Sequence, residues 1–149
     1  DSYKSNDFKE LGLDDFVQDN ISCSAAGVIR GMHWQDEPFG QGKLVSCVRG
    51  RIKDIAVDIR SYSKTYGKHV EVELSEMDGR LFWIPVGFAH GFQALEDNTL
   101  VMYKVTNYWN KDHERSVNPL DPSLQINWED LVPIISQKDN EAPDFDSLA

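Results

Sequence analysis

His33 and Lys43 are the residues around which a chemistry can be built. They stand ten residues apart, each inside an alternating, strand-like run (Gly27 to Gln35 and Gln41 to Val45), with a Pro- and Gly-containing turn from Asp36 to Gly40 between them. That spacing predicts two neighbouring strands turning both side chains toward one cavity. A histidine, with an intrinsic pKa of about 6.5, can be neutral at pH 7 and still accept a proton, the more so if a carboxylate fixes its tautomer. A lysine nearby stabilises an oxyanion as it develops. A tyrosine, pKa about 10, returns a proton from another direction. His33, Lys43 and Tyr103 form such a set, and it suits proton abstraction next to a carbonyl. The plainer reading of His33 is a structural histidine with its hydrogen bonds satisfied.

Other chemistries lack their parts. The chain has no phosphate-cradling glycine loop, no nucleophile elbow and no CxxC pair. Its four histidines are His33, His69, His90 and His113. Pro85-Val86-Gly87-Phe88-Ala89-His90 resembles the second half of the cupin signature, whose first half brings two histidines and a glutamate to one metal ion. Here the corresponding hairpin offers His33 alone, between Met32 and Trp34, so no metal site is expected.

The elements that must position these residues read as strands. After a polar, acidic start, Asn6 to Leu11 before Gly12 reads as one short helix closed by glycine. From Phe16 the period becomes two: Phe16 to Ser24, Val28 to Trp34, Lys43 to Val48, Arg51 to Ile59, Lys68 to Leu74, Leu81 to Pro85, Gly91 to Leu95 and Leu100 to Thr106. In the fourth run Asp54 and Asp58 fall on the face opposite the aliphatic Ile55, Val57 and Ile59, so one wall is dry and the other can line something polar. Short strands between Gly, Asp and Asn turns indicate an antiparallel sandwich or barrel, a jelly roll first of all. After Asn107 the texture loosens around four prolines, Pro119, Pro122, Pro133 and Pro143. Leu124 to Trp128 reads as a last short strand, and the acidic tail from Asp139 as surface.

The 149 residues suit one domain with a proper core. A net charge of −10 argues against a nucleic-acid binder. Between Val28 and Lys53, however, Arg30, Lys43, Arg49, Arg51 and Lys53 outnumber Asp36 and Glu37, leaving room for a small phosphorylated ligand. Cys23 and Cys47 lack metal spacing and read as buried free thiols, which fits a reducing cytoplasm. No apolar run reaches membrane-spanning length.

Gln18-Asp19-Asn20, Gly27 to Gln35, Gln41 to Val45, Val57 to Arg60, Ile84 to Phe92, Tyr103 to Thr106 and Ser136 to Asp139 together, in order over nearly the whole chain, resemble the dTDP-4-dehydrorhamnose 3,5-epimerases, the RmlC-type sugar epimerases. The resemblance implies an all-β, double-stranded β-helix, the cupin jelly roll, with antiparallel sheets and short helical segments near the termini. It implies one domain over residues 1–149, no metal and no cofactor, and a cytoplasmic homodimer acting on a dTDP-sugar. The reaction implied is epimerisation at C3 and C5 of dTDP-4-keto-6-deoxy-glucose. In such enzymes the histidine of the RGxHxQ motif, here His33, is the base, and the aspartate of the C-terminal KD pair, here Asp139, orients it. Lys43 stabilises the enolate and Tyr103 donates a proton on the opposite face. Arg30, Gln18, Asn20, His90, Arg60 and Trp109 fall where the family contacts its substrate. The family's N-terminal strand, with a glycine–arginine–aromatic segment, is expected to be absent, and Trp109 replaces the second of a common tyrosine pair. Alternatives are a 3- or 5-epimerase, a 3,4-ketoisomerase, or a cupin that binds a nucleotide-sugar without catalysis.

Overall fold

The computed structural model describes residues 3–13 and 15–148; Asp1, Ser2 and Asp14 of the polar start, and Ala149, lie outside the described residues. Helix α1 (Ser5–Glu10) precedes strands β1 (Gln18–Ser24), β2 (Val28–Gln35), β3 (Lys43–Arg49), β4 (Arg51–Asp58), β5 (His69–Ser75), β6 (Phe82–Ile84), β7 (Phe88–Ala94) and β8 (Thr99–Val105). The predicted strand at Leu124 to Trp128 is not formed: Pro122–Leu124 make a 3₁₀ turn, stopped where Gln125 takes a left-handed conformation. Two other short strands appear instead, β9 (Glu114–Ser116) and β10 (Ile134–Ile135), followed by helix α2 (Gln137–Asn140). Among the described residues no helix is long and apolar enough to cross a membrane.

The strands make two sheets, one ordered β1-β8-β3-β6 and the other β10-β2-β7-β4-β5, with β9 also paired to β2. The sheets face each other across a core of Val45, Cys47, Ile52, Ala56, Leu74, Ile84, Phe92 and Val101, the arrangement of a jelly roll. β2 and β3 therefore do not pair. They belong to opposite sheets, and His33 and Lys43 approach one cavity from two walls rather than from adjacent strands. β2 turns Arg30 and His33 toward the other sheet, while its buried Met32 packs on the opposite face with Ile55, Ala89 and Val117.

β4 departs from the expected polar and dry walls. Both of its faces are buried: Ile52, Asp54 and Ala56 look between the sheets, while Ile55 and Val57 lie under Val117, Leu124 and Phe145 from the chain's last third. The C-terminal segment is thus a third layer, and the tail from Asp139 lies mostly at the surface as expected, pinned by two buried side chains, Asp139 and Phe145. Covering the Phe145 ring is worth about 2 kcal/mol by apolar burial alone. At the end of β4, Asp58 accepts from the Arg60 backbone N–H and guanidinium and from the Ser63 and Thr65 hydroxyls, which fixes the loop into β5. Cys47 is buried and Cys23 exposed, against the expectation of two buried thiols, because Cys23 points from the outer face of β1, an edge strand; both are free.

Candidate active site

Arg30 and His33 are three apart, an odd spacing that a regular strand would send to opposite faces. The register solves this: Arg30 lies opposite Phe92 and His33 opposite His90, so β2 carries one residue more than β7 between the two pairs. The extra residue is a bulge at Gly31, φ +117°, where a Cβ would stand 2.6 Å from the Cα of Gly91. Only glycine lets the two backbones approach this closely, and the bulge turns Arg30 and His33 into the same cavity.

That cavity, about 320 Å³, is lined among others by Arg30, His33, Lys43, His90, Tyr103 and Asp139. A smaller one beside it shares His33, Lys43 and Tyr103 and adds Gln18, Asn20 and Trp109. On β1 the alternating residues Gln18, Asn20 and Ser22 face inward together, opposite Val105, Tyr103 and Val101 of β8. Arg60 is not brought to this cleft: its guanidinium is held by Asp58, lies 4.7 Å from the Phe88 ring, and lines a separate cavity with Tyr62 and Tyr66. Its short tether to Asp58, two residues away, decides its direction.

His33 is backed by Asp139. Nε2 lies 2.6 Å from Asp139 Oδ1, while Oδ2 accepts from the Gly31 N–H at 3.3 Å. The Ser136 hydroxyl accepts from the Asp139 N–H at 3.1 Å, capping α2 and fixing the carboxylate at its first turn. Burial alone would raise the Asp139 carboxyl, but the hydrogen bond and charge of His33, with the Gly31 N–H and Ser136, outweigh it and hold the group below its ordinary value. With Asp139 accepting from Nε2–H, Nδ1 is the nitrogen left with a lone pair.

Lys43 is buried, with Nζ 3.2 Å from the His33 carbonyl. Burial lowers its pKa to about 8, against the opposing pull of Asp54 and Glu114. Tyr103, on the facing sheet from His33, is raised by burial, Arg30 working the other way, so the phenol keeps its proton at neutral pH. His90 Nε2 lies 2.5 Å from Asp54 Oδ1.

Glu114 is a cleft residue that the sequence reading missed. It lines both cavities, pairs with Lys138 at 2.6 Å and takes a hydrogen bond from the Trp109 side chain. Burial pushes its carboxyl up, and Lys138 and Trp109 more than reverse this. Nothing in the local pattern marks it, because its strand is three residues long and pairs only with β2. Lys138 and Ser136, flanking Asp139, line the larger cavity too. Three cations, Arg30, Lys43 and Lys138, therefore line the cleft with two carboxylates, Glu114 and Asp139, and Asp54 lies behind His90, so cations gather here in a chain of net charge −10. The cleft can hold an anion, take a proton from one wall and supply one from the other. Among the described residues no group of three or more His, Cys, Asp or Glu is arranged to hold a metal ion.

A sequence model of the family described as dTDP-4-dehydrorhamnose 3,5-epimerase matches residues 1–147. The protein of that name from Sinorhizobium fredii is 48% identical over 141 residues, covering 93% of this chain and 71% of its own. The crystal structure of the RmlC 3,5-epimerase from Legionella pneumophila, in complex with dTDP-4-keto-L-rhamnose, superposes with a TM-score of 0.92 at 44% identity, covering 98% of this chain and 79% of that one. That of ChmJ, a 3'-monoepimerase from Streptomyces bikiniensis in complex with dTDP-quinovose, gives 0.93 at 32% identity, covering 98% and 75%.

Proposed function

The chain belongs to the dTDP-4-dehydrorhamnose 3,5-epimerase family, and on that premise we propose that His33 and Tyr103 exchange protons on opposite faces of a dTDP-4-keto-6-deoxy sugar. The enzyme is an isomerase. It epimerises C3 and C5 of dTDP-4-keto-6-deoxy-D-glucose to give dTDP-4-dehydro-L-rhamnose. The observation that carries the assignment of residues is the placing of a carboxylate-backed histidine and a protonated tyrosine on the two walls of one cavity, with a buried lysine beside them.

The steps follow from the groups. The C4 ketone acidifies the hydrogens on C3 and C5. Nδ1 of His33 takes one of them, and Asp139 stabilises the imidazolium that forms. Negative charge moves to the C4 oxygen, where the Lys43 ammonium meets it; such a contact supplies about 3 kcal/mol of transition-state stabilisation. Tyr103 then delivers its proton to the same carbon from the other face, inverting it. Once solvent has taken the proton from His33 and returned one to Tyr103, a second round inverts the second carbon. Arg30 and Lys138 suit the diphosphate, and the amides of Gln18 and Asn20 with the Trp109 indole suit the nucleobase, the indole by stacking.

The protein acts as a cytoplasmic homodimer in this reading. The outer face of the β1-β8-β3-β6 sheet supports the dimer: it leaves Ile21 and Val48 exposed beside a groove of about 720 Å³. The two free thiols support the compartment. Light scattering of the eluting protein would give one chain per particle if the dimer reading fails.

Deuterium exchange at C3 and C5 of the substrate, followed by proton NMR in deuterated water, tests the reaction. Exchange at both carbons, abolished in His33→Ala with nucleotide-sugar affinity kept, is the expected result. The likeness to a 3'-monoepimerase favours a second reading, and exchange at a single carbon would select it. Binding without exchange in the wild-type protein would reduce the chain to a nucleotide-sugar-binding cupin.

A further inference from the structure

Gln35, the last residue of β2 and of the RGxHxQ run, takes no part in the proton transfers, yet it is buried and lines the smaller cavity. Its amide makes three hydrogen bonds. Oε1 accepts from the Asn110 N–H at 2.7 Å, while Nε2 donates to the Tyr108 carbonyl at 3.2 Å and to the Phe39 carbonyl at 2.6 Å. One side chain thus grips the two peptide groups that flank Trp109. The stretch that carries Trp109 depends on such a grip. It runs from β8 in one sheet to β9 beside the other, with no strand or helix of its own. The N–H groups of Tyr108, Trp109 and Asn110 donate instead to the side-chain oxygens of Asn107, Gln18 and Gln35. Trp109 itself is 54% exposed, so packing alone does not fix the indole.

We propose that Gln35 is a positioning residue for substrate binding, clamping the chain on both sides of Trp109 so that the indole stands ready for the nucleobase. The inference rests on the reading of Trp109 as the surface on which the base stacks. A glutamine suits the task because it offers an acceptor to the Asn110 N–H and donors to two carbonyls at once; a glutamate of the same shape would set oxygen against oxygen at Tyr108 and Phe39. Without the clamp, the loop must be ordered as the ligand binds, and that entropy is lost from the affinity. The three bonds go to this loop and to the Asp36–Gly40 turn, none of them to His33, Lys43 or Tyr103. Binding, rather than the chemical step, therefore depends on Gln35.

The test combines calorimetric titration with dTDP and the deuterium exchange of the nucleotide-sugar. Gln35→Met keeps the length of the side chain and removes its hydrogen bonds. It is expected to weaken dTDP binding about 10-fold and to raise KM in step, with kcat for exchange within about 2-fold of wild type. In a Trp109→Ala background the same substitution should change dTDP affinity by less than about 2-fold, because no indole is left to hold. Unchanged dTDP affinity in folded Gln35→Met overturns the inference, and so does an undiminished loss in the Trp109→Ala background. Should Gln35→Met not fold, wild-type protein carrying fluorinated tryptophan decides, the Trp109 fluorine signal being assigned by its absence in Trp109→Phe. One line in the free protein, moved by dTDP, is the expected result; a signal split among conformers, or one that dTDP leaves in place, overturns the clamp. Weakened dTDP binding in Gln35→Met with no exchange at C3 or C5 in any protein would uphold the clamp and sink the proposed reaction instead.

Discussion

Two histidine–aspartate pairs lie side by side in this molecule, and they are chemically alike. His33 on β2 and His90 on β7 are direct cross-strand neighbours, each bonded through Nε2 to one carboxylate oxygen. What separates them is reach. The His33 side chain is 28% exposed to the cleft, and its partner is anchored on a capped turn of helix; the His90 side chain is 6% exposed over a carboxylate with no exposure at all. A general base must swing between a proton and its substrate, so the half-open pair suits catalysis. The closed pair suits holding charge in place. The pair itself therefore does not name the base; its surroundings do.

The largest expected effect would break this comparison outright if absent. His33→Ala should slow exchange by about 10³-fold or more, while changing the unfolding free energy by less than about 1 kcal/mol. His90→Ala should do the opposite in kind, costing about 3 kcal/mol in urea unfolding because it strands Asp54. Equal stability in the two variants would erase the distinction. Lys43 comes next. Its folded pKa of about 8 lies below the unfolded value of about 10.4, so between them the unfolded chain binds more protons. Wild-type stability should thus rise with pH across that window, by up to about 3 kcal/mol, and Lys43→Met should remove the rise while slowing turnover by about 10²-fold.

Tyr103→Phe probes the other wall of the cleft. Net inversion should fall about 10²-fold, with exchange of the abstracted proton reduced less, because His33 and solvent suffice for that. Equal losses would take the donor role from Tyr103. Asp139→Asn, whose cost in rate follows that of His33→Ala, has the smallest effect on stability. Its folded carboxyl lies below the unfolded value, so it contributes stability above that unfolded value and loses it as pH falls through the folded one. The acid limb of a stability-against-pH curve should be shallower in the variant.

Most of the β pattern was legible because half-buried strands must alternate, and eight runs could be read on that basis. Alternation also misled. Arg30 and His33 share a cavity only through a one-residue bulge, and a bulge is invisible to a period of two. β2 and β3 read as partners because a hairpin is the nearest solution for two adjacent strands, whereas a jelly roll passes them to different sheets. The C-terminal third was poorly legible for a physical reason: its burial is against β4, and the segment has no periodicity of its own to announce it. Asp139 could be placed beside His33 through family resemblance alone, and Glu114 not at all. Arg60 shows the converse, a motif residue whose carboxylate partner two positions away keeps it from the cleft.

The layer formed by the last third of the chain has a consequence in time. Both sheets have all their long strands by Val105, while the carboxylate that backs His33 arrives 106 residues after it. A chain made from its N-terminus can build the scaffold, and the hollow between its sheets, before it holds a working base. The long strands that wall the cleft are thus synthesised before the carboxylate that backs His33.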